Sequence, residues 1–103
     1  MIYQIRYSPA AQKDTDAVWE DLAQFLGDYD KADDYVEGIM DEISSIREFP
    51  KSGSPLYYGR LFTGFYWVIY KNHKIFYRVR DSWIEVIRIL HARSDYIKVL
   101  FPE

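Results

Sequence analysis

Apolar positions along the chain change period twice, and the changes divide it into elements. Ile2, Tyr3, Ile5 and Tyr7 make a short N-terminal strand that stops at Ser8-Pro9. Serine caps helices and proline suits a first turn, so this junction predicts the start of a helix. Ala11, Val18, Leu22, Phe25 and Leu26 then recur at helical spacing, with Lys13, Asp14, Asp16, Glu20 and Asp21 mostly outside, until Gly27 closes the helix. Asp28 to Asp30 form a tight link, with Asp30 as the expected N-cap. A second helix carries Ala32, Tyr35, Val36, Ile39, Met40, Ile43 and Ile46 on one face, and is expected to run to Pro50 with Phe49 as its last anchor. So short a link makes the two helices an antiparallel hairpin whose inner face needs a sheet to cover.

After a loop at Lys51-Ser52-Gly53-Ser54-Pro55 the period becomes that of strands. Leu56 to Gly64 reads as an edge strand flanked by glycines, followed by β-rich runs Phe65 to Tyr70, Ile75 to Arg80 and Trp83 to Leu90. The cuts fall at Lys71-Asn72-His73-Lys74 and at Asp81-Ser82, where Asn and Asp tolerate left-handed turn backbone. In the last run strict alternation puts Ile84 and Val86 on one face and Ile87 and Ile89 on the other. Either a bulge shifts the register or the strand is central and covered on both sides. A final segment, Asp95 to Phe101, has room for one or two helical turns. The expected architecture is a single α+β domain over residues 1–103: an N-terminal strand, a helical hairpin on a mainly antiparallel sheet, and a short C-terminal helical segment.

Composition agrees with one folded core: 103 residues, 49% hydrophobic and 18% aromatic. No cysteine is present, so neither disulfides nor thiol chemistry is available. With no signal-peptide pattern, and no apolar run near the ~18 residues that cross a bilayer, a cytoplasmic protein with no membrane partner is expected. The formal charge of −3 hides an asymmetry: residues 1–50 carry four basic and twelve acidic residues, and residues 51–103 nine basic and four acidic. Either the basic half faces an anionic partner or the two halves attract each other across the fold.

The basic half also holds the candidate chemistry. Cleaving RNA through its own 2′-hydroxyl needs a base, cations for the phosphate and an acid for the leaving oxygen. Arg60, Arg78, Arg80, His91 and Tyr96 supply such parts if they meet on one sheet face, with His91 the natural proton carrier. The competing readings are structural: His73 as an exposed turn residue, and His91-Ala92-Arg93-Ser94-Asp95 as a lock in which Asp95 caps the last helix and pairs with Arg93. Tyr57, Tyr58, Phe65, Tyr66 and Trp67 either stack on bases or divide between core and partner contacts. No zinc-ligand spacing or glycine-rich phosphate loop occurs, so no metal and no cofactor are expected.

Several stretches together resemble the RelE/ParE toxins of bacterial toxin–antitoxin modules: Tyr7-Ser8-Pro9-Ala10-Ala11, Phe49-Pro50-Lys51-Ser52-Gly53, Arg60, Ile75-Phe76-Tyr77-Arg78-Val79 and Ile84 to Asp95. The resemblance spans essentially the whole chain. It implies a helical hairpin on a curved antiparallel sheet and a cognate antitoxin that wraps the toxin. One branch of that family cuts messenger RNA on the ribosome; the other poisons DNA gyrase. The His91-x-Arg93-x-Asp95 ending resembles the gyrase-directed, ParE-like branch, and a pI near 5.3 suits a protein target better than a ribosomal phosphate surface. On the gyrase reading Arg80, Arg93 and Tyr96 are partner-binding residues. On the nuclease reading Arg60, Arg78 and His91 form a metal-independent catalytic set. A degenerate homologue that binds its antitoxin and poisons nothing is the third possibility.

Overall fold

The computed structural model describes residues 2–102. Strand β1 (Gln4–Tyr7) leads into α1 (Pro9–Leu26), whose N-cap Ser8 accepts the Ala11 N–H at 3.0 Å. Gly27 ends α1 in the left-handed conformation that glycine adopts freely (φ 65°), and its N–H donates to the Ala23 carbonyl. The expected cap at Asp30 is corrected. Asp28 caps α2 (Tyr29–Ser44), its carboxylate accepting the Asp30 and Lys31 N–H groups, so the link between the helices is two residues long.

The second helix is also shorter than its apolar period suggests. It stops at Ser44, and three-residue turns carry the chain through Ile46 and Phe49. Ile46 keeps its place in the core, but Phe49 is 71% exposed and anchors nothing. The early stop has a structural cause. Arg47 must turn back to β1, where its carbonyl accepts the Tyr3 N–H and its Nε donates to the Tyr3 carbonyl.

A 3-10 turn at Pro50–Ser52 opens the sheet region of β2 (Ser54–Tyr58), β3 (Leu61–Tyr70), β4 (His73–Val79) and β5 (Trp83–His91). The predicted single strand from Leu56 to Gly64 is instead two. The chain reverses at Gly59-Arg60, with Gly59 at φ 63°, while Gly64, though at φ 85°, lies inside a continuous β3. At the next hairpin the left-handed residue is Lys71, not Asn72, and His73 and Lys74 are strand residues.

The sheet order is β1-β5-β4-β3-β2, with β1 parallel to β5 and every other pair antiparallel. Of the two explanations offered for the β5 pattern, the bulge accounts for it. The strand is internal, and Ile87 is an extra residue between the Tyr77↔Val86 and Phe76↔Arg88 pairs, so Ile84, Val86 and Ile89 all reach the core.

The α1–α2 hairpin covers one face of the sheet. Ile39 and Ile43 pack there against Ile75, Tyr77, Ile84, Val86 and Ile89. Gly38 lets α2 approach β3: a methyl group at that position would enter the Tyr70 ring. Tyr77 donates to the Pro50 carbonyl at 2.7 Å, and burial pushes its hydroxyl up to about 12. The short helix α3 (Tyr96–Leu100) lies on the opposite face, where Tyr96 sits on Phe76 and Phe101 stacks on Phe65. Asp95 precedes α3 without a side-chain cap bond, and it pairs with Lys98 at 3.7 Å rather than with Arg93. No helix among the described residues is long and apolar enough to cross a membrane.

Candidate functional site

Side chains alternate between the faces of a strand, so β4 points Ile75 and Tyr77 at the helices and Lys74, Phe76 and Arg78 the other way. On that second face Arg78 Nε donates to Glu85 Oε1 at 2.6 Å, and Arg80 Nη2 reaches the same oxygen at 3.5 Å. Arg6, opposite Glu85 in the β1–β5 register, lies over the Trp83 ring at 4.2 Å. Two arginines thus hold one glutamate, and a third stands on the neighbouring strand. The Arg78 hydrogen bond, with the charges of Arg78 and Arg80, outweighs desolvation and holds the Glu85 carboxyl below its usual range. Lys74 Nζ sits 4.1 Å from the Trp67 ring centroid and 4.7 Å from that of Tyr96. The result is a basic face with aromatic walls.

Arg60, Arg78 and His91 do not meet on it. Arg78 is opposite Phe65, five residues beyond the Gly59-Arg60 turn, whereas His91 is opposite His73 at the far end of β4. At ~3.3 Å per strand residue, Arg78 and His91 stand about 17 Å apart along the strands, and Arg60 and His91 on the order of 30 Å. The odd offset between positions 73 and 78 also puts them on opposite faces. Of the residues expected at a partner surface, Arg80 and Tyr96 belong to the basic face. Arg93 lies beyond the end of β5, where its N–H donates to His91 Nδ1 at 3.1 Å.

His73 is half-buried in β4 instead of exposed in a turn, and its ring centroid lies 5.5 Å from that of His91. Tyr35 on α2 bonds His73 Nδ1 at 2.8 Å and also accepts the Asn72 N–H at 3.4 Å. Lys71 stands 5.7 Å from the Tyr35 ring centroid. Burial, then the neighbouring His91, lowers the His73 pKa. Reading outward from the Asp81-Ser82 turn would pair His73 with Leu90, and the bulge at Ile87 moves the partner on to His91. The bulge was the signal that could have found the pair.

Arg88 belongs to neither surface. Its guanidinium grips Asp14 of α1 through Nε at 2.7 Å and Nη2 at 2.9 Å, and the same carboxylate accepts the Ile89 N–H at 2.9 Å. No group of three or more metal-ligating side chains occurs among the described residues.

Comparison with known proteins gives a family and a fold. The family described as the ParE toxin of the type II toxin–antitoxin system parDE matches residues 5–96. A chain of the chromosomal ParDE TA system from P. aeruginosa superposes with a TM-score of 0.74 at 17% identity, over 89% of this chain and 98% of that one. A chain of the toxin–antitoxin complex RelBE2 from Mycobacterium tuberculosis gives 0.57 at 17% identity, over 88% and 99%. No curated protein sequence matches.

Proposed function

The chain belongs to the ParE toxin family of type II toxin–antitoxin systems, and we propose that it is a non-enzymatic inhibitor of DNA gyrase, neutralised by a small cognate antitoxin. One observation carries this reading against its nuclease alternative. RNA cleavage needs a proton acceptor, a phosphate-binding cation and a proton donor within hydrogen-bond reach of a single phosphodiester. Arg60, Arg78 and His91 are instead strung along the sheet over a distance on the order of 30 Å. Inhibition by protein contact asks only for exposed surface of suitable chemistry. Exposed aromatic and aliphatic side chains stand at both hairpin tips: Phe25 and Tyr29 between the helices, and Tyr57, Tyr58, Leu61 and Phe62 between β2 and β3. Both similar structures belong to toxin–antitoxin systems, which supports an antitoxin as partner.

The test is the Arg60→Ala/Arg78→Ala/His91→Ala variant expressed without antitoxin. Growth arrest equal to that of the parent is expected. Loss of arrest, with antitoxin binding intact, would transfer support to the nuclease.

The second reading, a ribosome-dependent endoribonuclease of messenger RNA, draws on the His73–His91 pair and its neighbours Tyr35 and Lys71, which gather proton carriers and a cation at one end of the sheet. It predicts cleavage of translated messenger RNA that disappears in His91→Ala, and primer extension on that RNA would reveal the cut.

A further inference from the structure

The tip of the β2–β3 hairpin is apolar and pinned in place. Residues 52–70 carry one charge, Arg60 in the turn, in a chain that is 28% charged. The Thr63 hydroxyl holds the hairpin, donating to the Leu56 carbonyl at 2.8 Å and accepting the Phe65 N–H at 3.2 Å. Tyr58 and Leu61 are directly paired, so their side chains share a face, and they stand 51% and 74% exposed. Tyr58 meets the Phe101 ring edge-on at 5.9 Å, which places the pair on the face that carries α3. Beside them lies a hollow of about 450 Å³ lined by Tyr58, Asp95, Ile97, Lys98, Phe101 and Pro102. Asp95 and Lys98 pair with each other, so the hollow carries no net charge. A projecting leucine thus adjoins a hollow large enough to take it.

A knob and a hollow side by side on one surface suit a two-fold contact, because the rotation that seats one copy's knob in its partner's hollow seats the partner's knob in return. Charge permits self-contact here and opposes it elsewhere. Residues 9–44 hold eleven carboxylates and two lysines, so a two-fold contact through the helices sets like charge on like charge. The face holding Arg6, Lys74, Arg78 and Arg80 against Glu85 opposes it with the other sign. Acidic helices of one copy on the basic face of the next would attract, but that contact is heterologous: it builds an open chain and weakens in salt. An extended segment of another protein is a poor occupant, since β2 is five residues long and includes Pro55, which has no N–H to give a further strand. Exposed apolar patches of this kind cover on the order of 300–600 Å². A pair therefore buries about 600–1,200 Å², at or below the low end of stable interfaces, which fits a contact of micromolar strength.

We propose that two copies of this chain dock by a two-fold contact at the β2–β3 tip, with Leu61 of each seated in the hollow between Tyr58, Ile97 and Phe101 of the other. The contact is independent of what the toxin acts on, and it leaves Phe25 and Tyr29 at the helical tip open.

The test is sedimentation of the full, antitoxin-free chain from about 1 to 100 µM. A monomer–dimer equilibrium is expected, no weaker at about 0.5 M salt than at about 0.05 M. Leu61→Ser, at an exposed position, should weaken it by at least about tenfold, whereas Phe25→Ser should leave it unchanged. Circular dichroism melts of both variants should match the parent. The sequence holds no cysteine, so introduced cysteines report the geometry. Leu61→Cys mixed with Lys98→Cys should give a disulfide-linked heterodimer on oxidation, and Phe25→Cys mixed with Lys98→Cys should not. A monomer throughout that range, a dimer dissociated by salt or by Phe25→Ser, or oligomers that keep growing with concentration would overturn the proposal. So would a Leu61→Ser chain that dimerises like the parent; if it also loses antitoxin affinity, the tip belongs to the antitoxin.

Discussion

Asp14 does for β5 what a longer β1 would have done. The parallel strand ends at Tyr7, and past that point the free edge of β5 is bonded by α1 and its cap: the Ser8 N–H to the Val86 carbonyl, the Ser8 hydroxyl to the Ile87 carbonyl, and the Ile89 N–H to the Asp14 carboxylate. Replacing Asp14 with Ala would strand both the Ile89 N–H and the Arg88 guanidinium. A loss of about 2–3 kcal/mol is expected in urea denaturation, below that of a fully buried pair because Arg88 keeps some solvent contact. Nothing local in the sequence marks this bond, since its partners are 74 positions apart and Arg88 reads there as one more charge on a basic face. His73 gives a second prediction. Its pKa is depressed from the ordinary 6.5, so the folded state favours the neutral ring. The stability it contributes is present above that value and is lost as pH falls through the folded pKa. The denaturation midpoint should therefore drop between about pH 7.5 and about pH 5.5, and the drop should shrink in His73→Asn.

Among the elements, α2 and β3 depend most on one small residue. Gly38→Ala would drive a methyl into the Tyr70 ring, and the resulting overpacking should cost about 1–3 kcal/mol by urea denaturation. The elements themselves were largely legible. Ser8-Pro9 and Gly27 marked α1 because caps are local chemistry, and the 3.6-residue period marked the buried face of α2 because burial imposes it. The errors arose where local rules tied. Gly59 and Gly64 are both left-handed, and the pattern could not show that only the first reverses the chain. The period through Ile46 ran past the true helix end because that side chain stays buried after the helix has stopped. Of the candidate site, residue types were visible but convergence was not. Whether Arg60, Arg78 and His91 meet depends on register, and a single bulge at Ile87 sets what faces His73.

At the scale of the whole molecule the charge split acquires a meaning. If the acidic and basic halves served mainly to hold each other, ion pairs would cross between them in number. Among the described residues Asp14–Arg88 is the ion pair that does so, while Arg78, Arg80 and Lys98 pair within the basic half. Most charge on both halves therefore faces outward, and two surfaces of opposite sign remain for partners. Binding to partners at either surface should weaken as salt is raised from about 0.05 to 0.5 M, in titration calorimetry or an equivalent measurement. Supercoiling and DNA-cleavage assays of purified gyrase, with and without an excess of the cognate antitoxin, test most directly what the toxin acts on. Inhibited supercoiling with accumulating cleaved DNA, both reversed by antitoxin, is the predicted result. Gyrase that supercoils normally in the presence of excess folded, antitoxin-free protein would contradict the account.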